Sequence, residues 1–244
     1  MIQSLPKLLA TLALLAVFGH AHASVVISGT RVIFPAQERE VTVNLSNTSK
    51  SPTLVQVWLD DGDAEAAPET LQVPFTITPV LIRIEPEQGQ AIRLIHSGAP
   101  MSKDRETLYW LNMLEVPPKA QEDNHLQLAF RTRIKLMYRP QGLPGKAADA
   151  PAEVTWNTAP GENGKGLVLV GHNPTAYYVN MGEINVEHNG KSEALGTGYI
   201  APFSSERFVI KEHSTISTDA RVKFISINDY GAGTTNKSQL NTSN

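Results

Sequence analysis

Apolar and polar residues alternate with a period of two along most of the chain, and the longest such run is NHLQLAFRTRIKLMYRP at 124–140. Its even positions are Leu126, Leu128, Phe130, Thr132, Ile134, Leu136 and Tyr138, while its odd positions collect Arg131, Arg133, Lys135 and Arg139. This period places the two sets on opposite faces of a strand, and the run far exceeds the usual length of about five or six residues. Shorter runs precede it: VVIS (25–28), VTVNLS (41–46), LVQVWLD (54–60), FTITP (75–79), LIRIEP (81–86), AIRLIH (91–96) and TLYWLNMLEV (107–116). Ser46-Asn47 and Ser51-Pro52 supply turns, Pro79 and Pro86 remove ladder donors, and no segment of helical period competes. The run at 107–116 and the long one are separated by a short loop and predict a hairpin.

The stretch QGLPGKAADAPAE (141–153) breaks the alternation and reads as a linker, after which strands resume at 154–156, 166–171, 177–187, 206–211 and 221–229. Single-sided alternation in both halves predicts an all-β protein of two β-sandwich domains, at 24–141 and 142–232. Residues 233–244 hold one leucine among small polar residues and read as a disordered tail.

Residues 1–23 stand apart. Lys7 precedes the apolar run LLATLALLAVFG, and Ala21-His22-Ala23 follows, the pattern of a cleavable secretory signal peptide with the exported protein starting at Ser24. No apolar run reaches the roughly 20 residues of a membrane helix, so membrane insertion is not expected. A net charge of −3 argues against a nucleic-acid partner, and the absence of cysteine excludes disulfides and thiol chemistry.

Catalytic signatures are missing. His96, His125, His172, His188 and His213 have no metal-ligand spacing and read as surface or edge residues. The cluster Asp60-Asp61-Gly62-Asp63-Ala64-Glu65 lacks the closing glutamate of a calcium loop and reads as a solvated loop; GENGKG at 161–166 reads as a hairpin turn. No nucleophile, base and orienting group assemble, so neither catalysis nor a cofactor is expected. Taken alone, the basic cluster at 131–139 reads as a solvated face, and the apolar row as core.

Six ordered segments of this sequence carry a resemblance: TRVIFP (30–35), NTSKSPTLVQVW (47–58), ITPVLIRIEP (77–86), DRETLYWLN (104–112), RIKLMYRP (133–140) and INDYGA (227–232). In this order they resemble the periplasmic chaperones of pilus assembly, of the PapD and FimC kind, over essentially the whole exported chain. The resemblance implies two immunoglobulin-like β-sandwiches arranged as an L or boomerang. The implied activity is a non-enzymatic one in the periplasm: capping pilin subunits by donor-strand complementation and delivering them to an outer-membrane usher during fimbrium biogenesis. The short loop at 119–125 and the lack of cysteine resemble the branch that assembles rod-like pili.

Matched motif by motif, the resemblance implies that Arg31 and Lys135 grip the carboxylate ending the pilin chain. It implies a donor strand formed by Asn124, Leu126, Leu128 and Phe130, with Phe130 bulkier than the branched aliphatics usual at that site. It further implies an interdomain charge network of Glu106, Arg139 and Asp229. So apolar an edge also suggests self-association of the free protein. The competing expectation is an exported carbohydrate-binding module or hydrolase, with Trp58, Tyr109 and Trp110 as stacking residues. Proximity of Arg31 to Lys135 separates the two.

Overall fold

The computed structural model describes residues 24–116, 128–161, 164, 166–211 and 220–241. The expected signal peptide, Asn124, Leu126, His125 and His213 lie outside these residues. In the amino-terminal half the strands are β1 (Val25–Ile27), β2 (Arg31–Pro35), β3 (Glu40–Asn47), β4 (Thr53–Asp60), β5 (Phe75–Thr78), β6 (Leu81–Ile84), β7 (Gly89–His96), β8 (Thr107–Val116) and β9 (Phe130–Arg139). They form two layers, β1-β3-β7-β5 and β2-β9-β8-β4-β6. Alternation drives the packing: Val43 and Leu45, Val55 and Val57, Ile92 and Leu94, Leu111 and Met113, and Ile134 and Leu136 all enter one core. The predicted hairpin is present, with β8 antiparallel to β9.

Not every residue follows its sequence reading. The half-buried His96 ring lies 5.4 Å from Phe75 and 5.2 Å from Tyr138 in an aromatic cluster and His188 is buried, both on inner strands of their sheets, so neither is the surface or edge residue expected. Asp60 is not part of a solvated loop: it ends β4 fully buried, accepting from Arg133 Nε at 3.0 Å and Asn112 Nδ2 at 2.7 Å. One arginine and one asparagine on neighbouring strands compensate the burial, an arrangement that only sheet pairing brings together.

The second half contains β10 (Thr155–Pro160), β11 (Leu167–Asn173), β12 (Val179–His188), β13 (Lys191–Ile200), β14 (Ser204–Ile210), β15 (Arg221–Ile227) and β16 (Gly233–Asn241), in the order β13-β12-β15-β16-β10-β11-β14. Its core centres on Trp156, Leu169, Phe208, Val222 and Phe224. Gly171 gives Trp156 its room, since a Cβ there would lie 2.7 Å from the indole ring. Each domain braces a turn with one buried asparagine. Asn47 Nδ2 donates to the carbonyls of Ser51 and Ile84, and Asn173 Nδ2 donates to those of Tyr177 and Ile200.

Two expectations are corrected here. Residues 233–241 are not a disordered tail but β16, which pairs with β15 through residues 233–239 and then meets β10 through Leu240 and Asn241. Main-chain hydrogen bonds on both flanks and the buried Leu240 side chain order it where its own apolar content could not. The stretch 141–153 is likewise more than a linker. It includes a helical turn, Ala150–Glu153, with Ala150 fully buried and Leu143 and Ala147 packed on the second core.

Candidate functional site

The junction between the sandwiches is built on the register of two parallel strands. β2 lies beside β9 with Arg31 opposite Lys135 and Pro35 opposite Arg139. Side chains at opposed positions share a face, so the pairing sets two cations side by side where the domains meet.

Both cations reach the second domain. Arg31 Nη1 donates to the Ile227 carbonyl at 3.1 Å, and Lys135 Nζ donates to Asn180 Oδ1 at 2.5 Å. The Lys135 ammonium also lies 4.4 Å from the Tyr199 ring centroid and 5.5 Å from that of Trp110. Burial, reinforced by the neighbouring Arg31 charge, lowers the Lys135 pKa to about 8. Burial lowers Arg31 as well, with Asp229 opposing the shift. Among the described residues no carboxylate forms an ion pair with either cation, and the Arg31 Nε hydrogen is buried without an acceptor. Such a pair, partly dry and short of acceptors, suits a carboxylate that can take charge-assisted hydrogen bonds from both.

Further along the same strand, the three other charged residues named from the sequence meet. Arg139 Nε donates to Glu106 Oε1 at 2.6 Å, and its Nη1 and Nη2 donate to the two Asp229 oxygens at 2.7 and 2.8 Å. Glu106 Oε2 accepts the Tyr178 main-chain N–H at 2.7 Å, and the Glu106 N–H donates to the Ala176 carbonyl at 2.9 Å. The guanidinium thus ties β9 to the end of β15, and Glu106 ties β8 to the start of β12. Burial pushes the Glu106 carboxyl up, while Arg139 and the Tyr178 N–H pull it back.

The other half of β9 is open. β2 covers it only from Lys135 onward, whereas β8 pairs with it from Phe130, so residues 130–134 have a strand on one side only among the described residues. Leu128 and Phe130 stand at the start of this margin, 53% and 38% exposed, and not in the core. An uncovered main-chain edge flanked by apolar side chains therefore ends beside the two cations.

A family model for the amino-terminal domain of PapD, described as a pili and flagellar-assembly chaperone, matches residues 24–144, and one for the carboxy-terminal domain of the pili assembly chaperone PapD matches 149–238. The chain belongs to the PapD family of pilus assembly chaperones. It is 45% identical over 221 residues to chaperone protein FimB/FhaD of Bordetella pertussis, covering 88% of this chain and 87% of the relative. Among solved structures, the Escherichia coli chaperone YadV matches with a TM-score of 0.78 at 40% identity, covering 89% of this chain and all of that one. The SafB chaperone, solved in complex with the Salmonella enterica pilin SafA, matches with a TM-score of 0.73 at 27% identity, covering 91% of this chain and 99% of that one.

A sugar-binding surface is not favoured. The Arg131 guanidinium covers the Trp58 ring at 5.0 Å and Arg133 covers Trp110 at 4.1 Å, while Tyr109 packs edge-on against Phe75 at 5.2 Å. An arginine thus competes for a face of each indole, and the Tyr109 ring is engaged within the aromatic cluster of the core. The basic cluster is not simply solvated either, because Arg131 and Arg133 are anchored to Asn112 and Asp60. Sequence reasoning missed Asn180, Tyr199 and the Ile227 carbonyl, the second domain's contribution to the cation site. Nothing in their local spacing marks them, since they join Lys135 and Arg31 only through domain packing.

Proposed function

We propose that this PapD-family chaperone acts in the periplasm by capturing pilin subunits, without turnover, and releasing them to an outer-membrane usher. The open margin of β9 lends itself as a strand to an incomplete pilin fold, with Leu128 and Phe130, preceded by Asn124 and Leu126, filling the subunit's apolar groove. Arg31 and Lys135 hold the carboxylate that ends the subunit chain and so fix the register. Glu106, Arg139 and Asp229 hold the angle of the cleft. Strand lending between pilus chaperones and pilins is itself a known instance of β-augmentation. Each apolar side chain buried in the groove contributes about 1.5–3 kcal/mol before the costs of association.

The observation that carries this reading is the in-register placement of Arg31 beside Lys135 where the uncovered edge of β9 ends. Relatives named as fimbrial chaperones, and SafB solved in complex with a pilin, support it. The test is Lys135→Ala in cells that express the fimbrial subunits. The variant should accumulate as a folded protein, because a lysine paired to no carboxylate supports little structure, while subunits disappear from the periplasm and from co-purified complexes. Normal subunit recovery with Lys135→Ala removes the anchor role.

A further inference from the structure

At the end of β8 remote from the cleft lies a buried acid that the charge network leaves unused. Glu115 is 3% exposed and opposes Val55 of β4 and Phe130 of β9 in the sheet register. Its Oε2 accepts the main-chain N–H of Ser24 at 2.9 Å and the Ser24 hydroxyl at 2.5 Å. Its Oε1 is buried with no hydrogen-bond partner, and no lysine or arginine among the described residues pairs with it. A buried carboxylate with one orphaned oxygen and no cation is costly unless something supplies the charge.

The chain itself holds a source. Ser24 follows Ala21-His22-Ala23, the expected cleavage site. In the uncut chain the Ser24 nitrogen is an amide with one hydrogen and no charge. Hydrolysis of the 23–24 bond places the hydroxyl of water on the Ala23 carbonyl and its hydrogen on the Ser24 nitrogen. The resulting amine takes a proton from solvent and becomes an ammonium with three hydrogens. Ser24 is already tethered in place: its carbonyl accepts from the Thr48 N–H at 2.8 Å and the Thr48 hydroxyl at 3.2 Å, and its hydroxyl lies 3.1 Å from that of Thr53.

We propose that Glu115 is a built receptor for the α-ammonium of Ser24, so that removal of the leader converts the existing hydrogen bonds into a buried ion pair that the uncut chain lacks. The inference rests on the reading of this chain as an exported, cleaved chaperone. It explains both the orphaned oxygen and the buried acid. It also makes the cut position matter: consecutive Cα atoms lie about 3.8 Å apart, so a chain keeping Ala23 presents an amide to Glu115 and carries its charge elsewhere.

The test compares protein released by a protease from an amino-terminal fusion so that Ser24 comes first with protein that retains Ala23, each as the parent and as Glu115→Gln. The Ser24 form should melt several degrees above the Ala23 form, and Glu115→Gln should abolish the gap. An amine-directed acylating reagent should modify the Ser24 amine several-fold more slowly than the Ala23 amine. Equal melting of the two lengths, or a gap that persists in Glu115→Gln, overturns the proposal. If Glu115→Gln does not fold, the acylation rates of the two parent forms decide, and equal rates overturn it. Mass analysis of the periplasmic protein tests the export reading separately. A start other than Ser24 sinks the coupling to leader removal, while the protease-released pair still reports on the ion pair alone.

Discussion

Lys135 and Arg139 lie four residues apart on β9, and their surroundings treat them in opposite ways. Arg139 is spent. Burial opposes its charge, yet hydrogen bonds and attraction from Asp229 and Glu106 prevail and raise its pKa. Lys135 is unspent, with neutral acceptors, an aromatic face and a second cation around it, so burial and Arg31 lower its pKa to about 8. A cation matched by carboxylates serves the fold, whereas a cation left short of them stores an unfavourable term that an incoming carboxylate relieves. The same strand thus carries one cation matched by carboxylates and one that is not.

The comparison breaks most sharply at Arg139. Arg139→Ala strands Glu106, which is buried, without its cation, and should cost about 3–5 kcal/mol of stability. Urea unfolding monitored at Trp156 and at the first domain's tryptophans measures the loss. Stability within about 0.5 kcal/mol of the parent would show that the network carries no structural load. Arg139→Lys should fall between the two, since a lysine cannot reproduce the fork that engages Asp229 and Glu106 together.

Next in size is the open margin. Leu128 is exposed, so Leu128→Glu should leave folding within about 0.5 kcal/mol of the parent. Affinity for a pilin subunit should fall by at least ~2 kcal/mol, roughly thirtyfold, as a carboxylate replaces a groove-filling side chain. An undiminished complex in a pull-down titration would mean that Leu128 does not enter the groove.

A pH series sharpens the contrast further. Lys135 has a pKa of about 8 when folded and an ordinary value of 10.5, so between those limits the unfolded chain binds more protons. Stability from this group therefore rises with pH across that window, by about 1–2 kcal/mol given its partial contact with solvent. If Lys135 holds the subunit carboxylate as proposed, subunit affinity should move the other way, falling above about pH 8 as the ammonium loses its proton. Lys135→Met should flatten the stability contribution, and the difference between parent and variant isolates it from other titrations. A parent curve that matches Lys135→Met across this window would contradict the lowered pKa.

How far these features were legible in the sequence depends on which force makes them. Strands whose order comes from side-chain burial, such as β4 and β9, announce themselves by alternation, and with them came the two sandwiches and the hairpin. Strand β16 did not, because main-chain pairing on both flanks orders it and its side chains are mostly small and polar. Asp60 was misread for a related reason: its partners Asn112 and Arg133 are far away in sequence and adjacent only through the β4-β8-β9 ladder. For the site, Arg31, Lys135, Glu106, Arg139 and Asp229 came from motif resemblance and not from spacing. Asn180 and Tyr199 were invisible to both, since they act across a domain junction.

The smallest effect is expected from Tyr199, and it probes how the unspent cation is tolerated at all. The ring faces the Lys135 ammonium at 4.4 Å and is itself braced by Tyr178, with ring centroids 5.7 Å apart. An aromatic face at that distance supports a cation by about 0.5–1 kcal/mol, part of what desolvation removes. Tyr199→Leu keeps the site apolar but deletes the quadrupole, so the Lys135 ammonium should lose its proton roughly half a pH unit earlier. The upper pH limit of subunit binding should shift down by the same amount, with affinity at pH 6 nearly unchanged because the lysine is charged there in both proteins. Tyr199→Phe, which keeps the ring, should restore the parent profile. A Tyr199→Leu profile that superimposes on the parent would leave Asn180 as the second domain's sole support for the charge, and would move the comparison from ring electrostatics to hydrogen bonding.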